Sequence, residues 1–366
     1  MIYIDDEEDV ILPKKYHEIN NICAIIYDQL TEIFVADNYK ALKKAEFNLD
    51  PKTQLLVSEL RSGKIHVLDW LKVNDLNDEL TMVLTRHITM SIVSDFVNFM
   101  YESLSCAKRG KMTVAYALLR KPLTDELLIL EQLLYDPHEF IKRFFHSGEP
   151  ADYDPSHQNV DKRDIIRKAL TKLKPTIIFY EDILYELRYD KSCPSGINGI
   201  SNHALHIVTR DKNYKTPNQN LNFVFSGEED IIDYWDHYYY FVPYLLIYSV
   251  SIIDNIIFRY LPDKGNDNLR AVKSFRRLIG LVLWTEKTKQ SNMKKAVKKM
   301  FEAFSLAIKI DCKKCKKKIE FTKADFEFFF ESEILLCPCC VQNLLTTSKS
   351  IQPIKSFMEG IADDTK

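Results

Sequence analysis

Only nine glycines and thirteen prolines punctuate 366 residues, and that scarcity restricts what the chain can fold into more than any other feature. A many-stranded sandwich or barrel needs a turn every ten residues or so, and turns draw heavily on glycine and proline. Long helices need neither. Their signature is apolar residues at three- and four-residue steps. It runs through Ile19, Ile22, Cys23, Ile26, Leu30 and Phe34, and again through Leu84, Ile88, Ile92, Phe96, Phe99 and Met100. A turn at Lys108, Arg109 and Gly110 leads into Met112–Leu119. Pro122 then stands just inside the next helix start, where its missing N–H costs little, and Asp136-Pro137 opens another.

Apolar residues make up 46% and charged ones 28%, enough to bury a core and far from the signature of disorder. The polar, aperiodic stretch 147–161 separates an N-terminal helical region, 1–146, from a second one, 162–308. Within the second, the alternating runs His203–Val208 and Leu221–Phe225 predict a long-looped β-hairpin at about 203–225. Residues 309–345 form a small third unit, and 346–366 a C-terminal tail. The apolar stretch Tyr238–Tyr260 is interrupted by Pro243, Asp254, Asn255 and Arg259. It falls short of a membrane span and reads as a buried core helix. The acidic start, Asp5 to Asp9, has neither the basic residues nor the apolar run of a secretory signal. The expectation is a cytoplasmic chain with no membrane partner.

Five of the eight cysteines fall between Cys312 and Cys340. Two pairs are spaced Cys-x-x-Cys: Cys312 with Cys315, and Cys337 with Cys340. Such a turn lets two sulfurs converge on one ion while backbone amides donate to the thiolates. Two turns complete a tetrahedral site, and the distance between them suits a four-cysteine zinc centre. Ile319–Phe321 suits a strand leaving the first knuckle and Ile334–Leu336 one entering the second. Cys339 is the alternative ligand to Cys340 if the second turn closes as Cys-x-Cys. A redox pair would instead accompany a mixed strand-and-helix fold and would not need a second knuckle. The fold class expected is therefore mainly α: a helical bundle with a small β-hairpin insertion and a C-terminal zinc ribbon.

A net charge of −2 gives no global attraction to nucleic acid, so any such binding must be regional. From Lys287 to Lys323 there are thirteen lysines against Glu302, Asp311 and Glu320. The candidates for contacting RNA or DNA phosphates are Lys294, Lys295, Lys298, Lys299, Lys313, Lys314, Lys316 and Lys317, with Arg276 and Arg277 behind them. The plain alternative is a solvated face whose lysines offset the charge of the thiolates. A helical protein-interaction scaffold, stapled by zinc, is a further reading.

Arg61-Ser62-Gly63-Lys64-Ile65-His66 is the one arginine–histidine spacing that suits general acid–base cleavage of RNA, with arginine steadying phosphate and histidine moving a proton. Gly63 would interrupt a helix carrying the pair. Separately, residues 108–145 (KRGKMTVAYALLRKPLTDELLILEQLLYDPHEFIKRFF) resemble uncharacterised bacterial helical proteins related to the HEPN and abortive-infection families. The likeness rests on the Ala115–Arg120 helix, the acidic residues after it and the Asp136-Pro137 turn. It implies a prokaryotic cytoplasmic protein of a phage-defence or toxin system and delivers no catalytic residue; the alternative activity, an HEPN-like ribonuclease, would take Arg61 and His66 as its candidate pair on their spacing alone. The sequence contains no phosphate-binding glycine–lysine loop, no Gly-x-Gly-x-x-Gly and no His-Glu-x-x-His, which disfavours nucleotide hydrolysis and zinc-protease chemistry.

Overall fold

Thirty residues from Glu228 to Ile257 form one unbroken helix despite the proline at its centre. Pro243 has no N–H to give the carbonyl of Tyr239, a turn earlier. In the computed structural model that carbonyl instead accepts from the Trp284 indole at 3.1 Å, so the defect becomes a tie to a neighbouring helix. The structure describes all residues except 1, 6, 45, 48–56, 58–59, 174–178, 194–195, 262, 289–292 and 364–366, and the side chains of those described except 43, 263–265 and 362–363.

In chain order the principal helices are α1 (His17–Val35), α2 (Asn77–Lys108), α3 (Met112–Arg120), α4 (Leu127–Tyr135), α5 (Glu181–Arg188), α6 (Ile197–Leu205), α7 (Glu228–Ile257), α8 (Asp263–Lys287), α9 (Met293–Ala307), α10 (Lys323–Ser332) and α11 (Ser348–Asp363). The protein is mainly helical, with no strand among the described residues. Helix α7 is the axis of the core. It packs on α1, α2, α4 and α8, so regions 1–146 and 162–308 share one continuous apolar interior. By length and composition α7 could cross a membrane, but 89% of its most apolar window is buried inside this protein. Helix α11, from the expected C-terminal tail, lies along α8 with Ile354 buried.

Buried charges in this interior are paired. Residues 121–126 between α3 and α4 are π-helical, which leaves carbonyls misaligned for the helix's own ladder. Arg188 Nε donates to Leu123 O at 2.7 Å and the Tyr189 hydroxyl to Thr124 O at 2.7 Å. The same guanidinium forms a two-pronged pair with Glu131, at 2.5 and 3.1 Å, and Tyr248 donates to that carboxylate at 2.6 Å. Asp254 on α7 pairs with Arg277 on α8, which also donates to Gln29 on α1.

The β-hairpin expected at about 203–225 does not form. His203 lies in α6, and the residues after Leu205 make an irregular loop. Side chains take over the hydrogen bonds a ladder would need: Thr209 N–H donates to Thr216 Oγ1 at 2.7 Å, Thr216 Oγ1 to Asn222 Oδ1 at 2.9 Å, and Asn222 Nδ2 to His206 O at 2.7 Å. His203 Nε2 donates to Tyr214 O at 2.5 Å. Before α6 the chain forms two separate helices, Lys162–Leu170 and α5.

Candidate metal centre and basic face

Two short turns at the ends of α10 carry the four paired cysteines, and they are built alike. In the first, Lys316 N–H donates to Cys312 O at 2.9 Å; in the second, Val341 N–H donates to Cys337 O at 2.8 Å. Lys316 and Val341, each directly after the second cysteine of its pair, both have left-handed backbones, with φ of 54° and 58°. Each turn is closed by one antiparallel bridge, Asp311 with Lys318 and Leu336 with Asn343. The strands expected at Ile319–Phe321 and Ile334–Leu336 do not form; only Leu336 takes part in a bridge, and the first bridge ends at Lys318. The chain between the knuckles coils into α10 instead, started by a reciprocal cap in which Thr322 and Asp325 each bond the other's backbone N–H.

The result is a cluster in which the sulfurs of Cys312, Cys315, Cys337 and Cys340 all lie within 4.8 Å of one another. Across the knuckles, Cys312 Sγ is 3.5 Å from Cys340 Sγ, and Cys315 Sγ is 3.7 Å from Cys337 Sγ. These separations are too long for a disulfide, whose sulfurs sit about 2.0 Å apart. They match the edge of a tetrahedron with metal–sulfur bonds of about 2.3 Å, which is about 3.8 Å. The electrostatics agree. The Cys315 and Lys314 backbone N–H groups hold the Cys312 thiol down at about 6. Cys315 is pulled down by the Lys317 N–H, yet burial and the neighbouring sulfurs push it up to about 12. Four thiolates this close need a cation among them. The cluster can hold a metal ion; Cys339 is exposed and outside it.

The module is fastened to the helical body through the far end of α10. Arg276 of α8, only 6% exposed, donates to Phe330 O at 2.5 Å and to Glu331 O at 2.9 Å. A cation thus satisfies the last carbonyls of α10 and meets the negative end of its dipole. Glu333, whose left-handed backbone ends α10, pairs with Arg276 at 3.2 Å and with the buried Lys273 at 3.7 Å. Behind this anchor, Phe275 packs against Phe304, Phe326, Phe329 and Phe357, with ring centroids between 5.6 and 5.9 Å apart. Gly280 is required for the fit: a Cβ there would lie 2.7 Å from the Phe330 ring and 3.3 Å from Ile26.

Arg276 and Arg277, read from sequence as backing for phosphate contacts, are therefore interior anchors. The lysines behave differently. Lys294, Lys295, Lys298, Lys299, Lys313, Lys314, Lys316 and Lys317 are all exposed. Of these only Lys298 forms an ion pair with a described residue, a loose one to Glu302 at 4.0 Å. Beside them a groove of about 1280 Å³ runs between α9 and the first knuckle. Phe301, Ile310, Ile319 and Phe321 are buried in its floor, Leu306 stands 72% exposed, and Lys294, Lys309 and Lys318 lie on its walls.

Arg61 and His66 are not brought together on one helix face. Gly63 between them is left-handed, with φ of +70°, and His66 caps the helix Val67–Val73, its ring accepting from Leu68 N–H at 3.3 Å. Both are exposed.

Sequence reading also overlooked a cluster on the π-helical segment. Lys121 pairs with Asp95 of α2 and, at 3.3 Å, with Glu126, whose carboxyl is buried. Burial first, and then the neighbouring Asp95, push the Glu126 carboxyl up to about 8. The anchor on α8 had a visible signal, because Arg270, Lys273, Arg276 and Arg277 recur at helical spacing within an apolar helix. Cations so placed must find internal partners.

No known protein family, no curated protein and no solved structure matches this chain.

Proposed function

We propose that the four cysteines hold one zinc ion, and that the lysine face around the first knuckle engages nucleic acid or a nucleoprotein surface. The protein would then act as a cytoplasmic adaptor, with the helical body as its platform. One observation carries this reading: eight exposed lysines, seven of them without an ion-pair partner among the described residues, stand on α9 and on the first knuckle of the cysteine cluster. Zinc fits best among common ions because its preference is for four thiolates in a closed tetrahedron, with no geometry imposed by d electrons. A structural ion of this kind would fix the knuckle and hold its lysines in place against the body. The resemblance of residues 108–145 to abortive-infection proteins suggests a setting in prokaryotic phage defence.

The test is filter binding of purified protein to RNA and DNA, with zinc measured in the same sample. The expected result is one zinc per chain and binding that weakens steeply as salt rises. Stoichiometric zinc with no nucleic-acid retention at low salt would leave the metal and remove the adaptor.

A further inference from the structure

Resting on the nucleic-acid reading above, we infer that the lysine face recognises the phosphate backbone of a duplex and is blind to its bases. The argument is one of chemistry that is present and chemistry that is not. Base edges are read chiefly by the planar fork of arginine, or by asparagine and glutamine placed in a groove. No arginine follows Arg277 anywhere in the sequence. Arg276 and Arg277 themselves are consumed by α10 carbonyls and by Asp254. The asparagine and glutamine of the module, Gln342 and Asn343, belong to the second knuckle, which carries no lysine; on α9 and the first knuckle what remains is lysine, a compact charge on a flexible stem that meets phosphate well and discriminates less than arginine.

Single strands are gripped differently, by aromatic rings on which bases stack. Here too the module is unequipped. No tyrosine or tryptophan follows Trp284. Phe301, Phe304, Phe321, Phe326, Phe329 and Phe330 are buried, and Phe328 is the single exposed ring among the described phenylalanines of α9 and the module, where a strand of stacked bases needs several. The lysines, by contrast, span two elements. Lys294, Lys295 and Lys299 rise from α9, while Lys313, Lys314, Lys316 and Lys317 rim the first knuckle. Duplex nucleic acid carries the denser line of charge and matches a broad face of this kind.

The experiment uses the full-length, zinc-loaded chain and fluorescence anisotropy. The probes are two labelled duplexes of unrelated sequence, their separated strands, and poly-L-glutamate of similar charge, from about 50 to 200 mM KCl. Both duplexes should bind within about threefold of each other, and more tightly than either strand or the peptide. A variant with Lys294, Lys295, Lys299, Lys313, Lys314 and Lys317 changed to Gln should lose about 0.9 from the salt slope for each phosphate contact removed. Lys316 stays because its backbone is left-handed, and retained zinc verifies that the variant is folded. A tenfold preference between duplexes, tighter binding of a single strand, an unchanged slope in the variant, or poly-glutamate binding as tight as duplex would each overturn the inference while leaving a binding face. No binding to any nucleic acid at the lowest salt would instead remove the reading on which it rests.

Discussion

The two knuckles are copies in backbone and opposites in side chain. Both close with a hydrogen bond from the residue after the second cysteine to the carbonyl of the first, both put that residue in the left-handed region, and both end on a single bridge. Yet the first is crowded by Lys313, Lys314, Lys316, Lys317 and Lys318, whereas the second carries Pro338, Cys339, Val341, Gln342 and Asn343. Holding an ion requires the shared part only. The turn itself does not require the lysines, since the second knuckle forms without them; beside a shared four-sulfur cluster they can offset its charge, and the lysine-to-glutamine variant above separates that role from phosphate contact.

If both knuckles serve one ion, Cys312→Ser and Cys337→Ser should be equally severe. Structural zinc in small modules is worth about 10–16 kcal/mol of apparent binding free energy, so each variant should lose the metal and loosen α10. Metal analysis and hydrogen exchange across α10 check this. Retention of full metal by either variant breaks the equivalence. Glu333 and its partners should then hold what remains of α10 against α8.

The module and the body should also respond to pH in opposite directions. Thiolate ligands are lost to protons, so metal retention falls as pH falls. For Glu126 the sign reverses. Its folded carboxyl sits near 8 against an ordinary value of 4.5. The contribution is complete below about 4.5; above that the unfolded chain ionises and the folded one does not, so stability declines as pH rises through 8. The effect is on the order of a few kcal/mol, read by urea unfolding at several pH values. Glu126→Gln should flatten it, and an unchanged slope in that variant would assign the titration elsewhere.

Arg276→Ala comes next in size. It strands two α10 carbonyls and leaves Glu333 with Lys273 alone, which should cost about 3 kcal/mol by chemical denaturation. If the knuckles are held by the metal alone, zinc stoichiometry stays at one while the module separates from α8.

These contrasts also explain what the sequence could disclose. The cysteine pairs were legible because metal geometry is local: two residues of spacing fix each turn, whatever surrounds it. Helix α7 was legible through its apolar stretch, although the role of Pro243 was not, since the Trp284 indole that takes its place comes from a different helix. The hairpin at 203–225 failed because alternation ignores Thr209, Thr216 and Asn222, whose side chains satisfy the loop without a ladder. Arg276 and Lys294 look alike in a charge count. Only the fold separates the one that closes α10 from the one left in solvent.

The smallest effect sharpens the comparison most. Lys316 and Val341 share a left-handed backbone, but a β-branched residue there is the stronger departure, because its branched Cβ crowds the backbone. Left-handed conformation costs an ordinary L residue about 1–2 kcal/mol, and asparagine much less. Val341→Asn should therefore stabilise the second knuckle by about 1 kcal/mol, read as slower zinc loss to a chelator, with Lys316→Asn giving a smaller gain. A loss at Val341 would mean that its side chain, 71% exposed, contributes more to the knuckle than its backbone strain costs, and that the two left-handed positions are not equivalent.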